Sequence, residues 1–137
     1  MKLAETWYEP PASEQELALM KRIAPAAVAF ELDRFFRKHN GAERAFVDVD
    51  YATDRFDCLR IDNIALLTDP DVRRSLDDCF PGYWAIGGDA GGQILAYAML
   101  SEVPWPLVLI LPGDADPPTV LARSLDELSE KYFRPDQ

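Results

Sequence analysis

A chain of 137 residues, 48% of them apolar, fits one domain with a real hydrophobic core and is too apolar for a disordered segment. Its formal net charge is -10, from 24 acidic and 14 basic residues. Such a charge repels nucleic acid and anionic membrane and suits a basic protein partner, although solubility alone also accounts for it.

Residues 1–12 read as an extended lead-in closed by Pro10 and Pro11. They lack the apolar core of a signal or transit peptide, and no later apolar run reaches membrane-spanning length. A cytoplasmic protein is expected. Cys58 and Cys79 alone build neither a disulfide framework nor a zinc site, so idle thiols in a reducing compartment are expected.

Ser13-Glu14-Gln15-Glu16 is a capping box, with Leu17, Met20 and Ala24 following at helical spacing. Pro25 stops or restarts the helix. Val28, Leu32, Phe35 and Phe36 mark the apolar stripe of a second helix, which Asn40-Gly41 ends with Gly41 as a left-handed cap. His39 falls in the last turn, where the helix dipole favours a cation. A capping role is preferred to catalysis because no Gly-x-Ser-x-Gly nucleophile motif is present.

After Gly41 the period changes to two. Ala45, Val47, Val49 and Tyr51 alternate with Phe46, Asp48, Asp50 and Ala52, which predicts a half-buried strand with Asp48 and Asp50 on its wet face. Residues 53–55 read as a turn and 55–61 as a partner strand. Asp69-Pro70-Asp71 reads as a helix start, with Asp69 as cap and Pro70 at the first position, and 72–80 as a short helix. Strands are predicted over 83–86, 94–100, 107–111 and 119–122. Ser124-Leu125-Asp126-Glu127 opens a last helix with an apolar side at Leu125, Leu128, Tyr132 and Phe133. Helices, then strands with hairpin-length connections, then a helix imply a single α+β domain. Its antiparallel sheet is flanked by N-terminal helices and a short C-terminal helix.

Gly87, Gly88, Asp89, Gly91 and Gly92 stand between two apolar runs and predict a tight structural turn. A phosphate cradle would need glycines leading into a helix, with a lysine in the nucleotide case; neither follows Gly92. Asp89 is expected to accept backbone amides of the turn, because one acid is too few for a cation.

Asp48, Asp50, Asp54, Asp57 and Asp62 form the densest acidic cluster. No Asp-x-Asp-x-Asp-Gly loop with a closing Glu is present, so no metal is assigned. Paired carboxylates for glycoside hydrolysis would need a cleft and a raised pKa. A solvated strand face remains open beside a docking face. In the docking reading Asp48 and Asp50, about 6.6 Å apart on one strand face, attract a basic partner. Asp54, Asp57 and Trp105 join them as candidate partner-binding residues. Trp105, between Pro104 and Pro106, is either an interface anchor or a packed loop corner. Asp114 and Asp116 read as turn formers.

The run from Trp84 to Tyr97, an apolar strand, a glycine-acid-glycine turn and a second apolar strand, resembles the central signature of the SMI1/KNR4 (SUKH) superfamily. The opening Pro11-Ala12-Ser13-Glu14, the proline-led helix ending in Asn40-Gly41 and the final Ser124-Leu125-Asp126-Glu127 helix match the family's order. The family's Leu-Pro pair is Ala24-Pro25 here, and residues 53–64 match no family motif. The resemblance implies a domain over residues 10–133, with 1–9 and 134–137 as terminal extensions. It further implies a non-enzymatic protein with no cofactor. Bacterial members look like immunity proteins that bind and neutralise a toxin domain, often a nuclease, of a polymorphic or contact-dependent system. The alternative is a regulatory or scaffolding protein with a housekeeping partner, as in eukaryotic members.

Overall fold

The computed structural model describes residues 2–47, 49–50, 56–113 and 117–133, with residues 2–5 described by their backbone. The elements in chain order are β1 (Lys2–Tyr8), α1 (Glu14–Ile23), α2 (Ala26–Lys38), β2 (Ala42–Val47), β3 (Cys58–Ile61) and α3 (Ile64–Leu67). There follow α4 (Pro70–Cys79), β4 (Tyr83–Gly88), β5 (Ile94–Ala98), β6 (Leu107–Ile110), β7 (Thr119–Ala122) and α5 (Leu125–Tyr132). The seven strands lie side by side in chain order, and each pairs antiparallel with the next. The result is one α+β domain with a curled sheet.

Local chemistry sets the helix starts. The Ser13 hydroxyl accepts from the Glu16 amide at 3.1 Å, while Glu16 Oε1 accepts from the Ser13 amide at 2.9 Å. Asp69 Oδ1 accepts from the amides of Asp71 and Val72 ahead of α4, with Pro70 in the first turn. Ser124 Oγ accepts from the Glu127 amide at the head of α5. Asn63 caps the short α3, which the sequence pattern did not announce.

The core joins Leu17 and Met20 of α1, Leu32 and Phe36 of α2 and Leu128 of α5 to Leu59, Ile61, Leu95 and Leu109 of the sheet. Each such side chain contributes about 1.5–3 kcal/mol by leaving water. Two buried polar ties lock the layers. Tyr97 Oη donates to Glu31 Oε1 at 2.5 Å, and the same oxygen accepts from the Leu125 amide at 3.3 Å, so α2, β5 and α5 share one carboxylate. Burial first, and then the Glu31 charge, push the Tyr97 phenol well above its usual range and keep it a donor. Tyr8 Oη donates to the Phe133 carbonyl and accepts from Arg44 Nη2 at 3.1 Å.

Three expectations change. Residues 2–8 are strand β1, hydrogen-bonded into the sheet beside β2, rather than an extension ahead of the domain. The predicted strand over 45–52 corresponds to β2, Ala42–Val47; Val49 and Asp50 lie beyond it, and residues 48, 51 and 52 lie outside the described residues. The faces are also reversed: Arg44 is 1% exposed and Phe46 packs on the core, whereas Val47 is exposed. A buried arginine reads as a wet-face residue in a sequence, which shifts the apparent period by one. Finally, Gly41 does have a positive φ of 107°, but the C-cap of α2 is His39, and Gly41 turns the chain into β2.

Candidate functional site

Gly87 and Gly88 are the last residues of β4, not part of the turn that follows. They pair with Ile61 and Arg60 of β3 on one side and with Leu95 and Ile94 of β5 on the other. The turn itself is Asp89 to Gln93. Asp89 Oδ1 accepts from the amides of Gly91 at 3.0 Å and Gln93 at 2.8 Å, and Oδ2 accepts from Gln93 Nε2 at 2.8 Å. Gly92 supplies the positive φ of 88°. The amides that a phosphate would need at Gly91 and Gln93 are therefore already bonded to Asp89.

The register places one lateral row across the sheet face that lies opposite the core. Trp7 pairs with Glu43, Glu43 with Arg60, Arg60 with Gly88, Gly88 with Ile94, and Ile94 with Ile110. Paired residues of neighbouring strands point to the same side, so these six share a face. The next row, Ala42, Ile61, Leu95 and Leu109, is core.

Two grooves open on this face and meet at Arg60 and Asp62. One, of about 220 Å³, has Trp7, Glu43 and Leu66 on its walls. The other, of about 430 Å³, lies between α4 and the sheet, with Val72, Leu76 and Ile94 as apolar walls and Asp71 on its rim. Trp7 is 49% exposed and Leu66 44%, so the apolar rim faces water. Among the described residues, four carboxylates line the joined grooves, Glu9, Glu43, Asp62 and Asp71, against one guanidinium, Arg60. That guanidinium is held by Asp62, with Nε 2.7 Å from Oδ1. The grooves are thus strongly electronegative.

Glu43 also accepts from the Cys58 thiol at 3.3 Å. Burial first, and then this hydrogen bond and the Glu43 charge, push the Cys58 thiol up to about 11. On the far side of the groove, Arg73 stacks on Trp84 at 4.3 Å and donates to the Ala85 carbonyl at 2.8 Å, fixing α4 against β4.

Of the clustered acids Asp48, Asp50, Asp54, Asp57 and Asp62, the structure describes three, Asp50, Asp57 and Asp62. Asp48 and Asp54 lie outside the described residues, as do Asp114 and Asp116. Asp50 is exposed but follows the end of β2 rather than standing on it, and Asp57 is half-buried beside β3. Of the described members of that cluster, Asp62 alone lines the grooves. Among the described residues, no group of three or more histidine, cysteine or acidic side chains converges as a metal site. The Trp105 ring packs against the core and its indole N–H donates to the Ser101 carbonyl at 2.9 Å, which makes it a loop corner.

A second cleft, of about 480 Å³, lies between α2 and α5 beside Phe35, His39 and Phe133. Its arginines are engaged: Arg34 with Asp126 at 2.6 Å, and Arg37 with Glu14 and Asp33 at 2.5 and 2.7 Å. His39 stacks on Tyr8, ring centroids 4.2 Å apart, and burial lowers its pKa, so it is neutral packing rather than a capping cation.

Glu9, Glu43, Arg60, Asp71 and Trp7 escaped the sequence reading. A polar alternation at Glu43 and Arg60 is visible in the sequence, but only strand pairing brings the residues together. No family model matches the chain, and no curated relative matches it. Among the described residues, no helix is long and apolar enough to cross a membrane.

Proposed function

We propose that this domain is a protein-binding module that works by occlusion rather than by chemistry, covering a basic surface of its partner. The electronegative double groove on the open sheet face carries this reading. A protein that handles nucleic acid must present a basic surface to its substrate, and a chain of net charge -10 with acids gathered at one groove complements such a surface.

The partner we propose is a toxin domain, a nuclease foremost, so that the protein serves as a bacterial immunity protein. The SMI1/KNR4-like order of the segment from Trp84 to Tyr97 supports this finer reading. The same segment builds the groove: Gly87 and Ile94 line it, and the Asp89 turn joins their strands. In this reading the glycines are scaffold. The protein acts in the cytoplasm, on a toxin that has entered or was made there.

Co-expression with the product of the adjacent gene tests the proposal. Restored growth, together with a complex that weakens as salt is raised, is the expected result. Failure of both rescue and complex formation overturns the toxin reading. A stable complex with a non-toxic neighbour replaces it with the scaffolding alternative.

A further inference from the structure

We infer that the contact point is the groove between α4 and the sheet, and that it receives an arginine or lysine side chain from an extended partner segment, with Trp7 against the same segment. This rests on the occlusion reading and assigns the chemistry of the contact. The groove, of about 430 Å³, counts Ala85 and Gly87 among its lining residues, which carry little or no side chain to fill it. Arg60 lines this groove, and its Nε lies 2.7 Å from Asp62 Oδ1. The groove has apolar walls at Ile94, Val72 and Leu76 and carries the carboxylates of Asp62 and Asp71.

Long basic side chains match this shape. Their methylene stems lie along apolar surface while the charged head reaches a carboxylate. A second cation from the same segment meets the Trp7 ring and Glu43 in the adjoining groove, where an exposed indole face attracts cations. An acidic or neutral segment would leave Glu9, Glu43 and Asp71 facing it without an added cation. Arg60 is the cation already paired with Asp62 in the groove. It competes with the incoming cation for Asp62 and repels it.

Titration of the full chain with a short oligo-arginine peptide, and with oligo-glutamate of equal length as control, tests the inference. Binding is read by calorimetry and by tryptophan fluorescence. Oligo-arginine binds and oligo-glutamate does not. Asp62→Asn with Asp71→Lys weakens binding about tenfold and flattens its salt dependence. Asp71, 92% exposed, can be reversed alone without disturbing folding, and this variant guards against a misfolded double variant. Arg60→Gln tightens binding several-fold, which a purely structural role for Arg60 does not produce. Trp7→Phe removes most of the fluorescence change, because Trp84 is buried and Trp105 is packed in its loop. Folded groove variants that bind oligo-arginine as the parent does, or an Arg60→Gln variant that binds more weakly, overturn the inference. If such variants still neutralise the partner, the occlusion reading stands and only the groove is lost. If the parent chain binds neither peptide nor partner, both fall.

Discussion

Arg60 and Gly88 face each other across β3 and β4, and the Arg60 Nη2 lies 3.3 Å from where a Cβ at position 88 would stand. The closeness of these two strands distinguishes the glycines of this segment from one another.

A Cβ on Gly87 would stand 1.9 Å from the Arg60 carbonyl oxygen, and one on Gly88 would stand 2.4 Å from the Gln93 carbonyl oxygen. Both obstacles are backbone, so relief requires parting the strands. Gly87→Ala and Gly88→Ala are each expected to cost about 3 kcal/mol or more in urea unfolding. Gly91 has no positive φ, and its Cβ would meet only Asp89 at an ordinary 3.4 Å. Gly91→Ala should change stability by about 0.5 kcal/mol or less. Equal losses at all three positions would show that the strand approach is not the constraint.

The two thiols should differ sharply in reactivity. Cys79 is exposed, whereas Cys58 is half-buried and its pKa is pushed up to about 11. At pH 8 about one Cys58 in a thousand is thiolate. Iodoacetamide should therefore alkylate Cys79 well before Cys58, as followed by peptide mass spectrometry. Glu43→Gln should accelerate Cys58, since it removes the carboxylate that disfavours the thiolate. Comparable rates for both thiols in the parent chain would contradict the burial of Cys58.

His39 should impose a pH dependence on stability. Burial holds its folded pKa below the ordinary 6.5, so the unfolded chain takes up the proton first as pH falls. Its contribution is complete above about pH 6.5 and is lost as pH falls from there through the lower folded value. Below that value the loss is constant. His39→Phe keeps the ring against Tyr8 and removes the titration, so its stability should vary less with pH across that window. Thermal melts from pH 7.5 to 5 measure the difference; identical pH profiles would remove His39 as the cause.

Much of this domain was legible without coordinates wherever the interacting atoms sit within four residues of each other. The caps at Ser13, Asp69 and Ser124 are of this kind, and so is the Asp89 turn, because a side chain that bonds its own neighbouring amides leaves its mark in adjacent letters. The α+β class followed from the order of periodic segments. Strand pairing decided the rest. It placed residues 2–8 in the sheet, turned Arg44 inward, and gathered Trp7, Glu43, Arg60, Gly88 and Ile94 from five strands into one row. Register is chosen by which residues the whole sheet buries against its helices, and that choice depends on partners tens of residues away. The amino-acid sequence alone thus determined where elements begin and how the Asp89 turn closes, whereas the groove and its charge exist only once long-range pairing has brought those strands together.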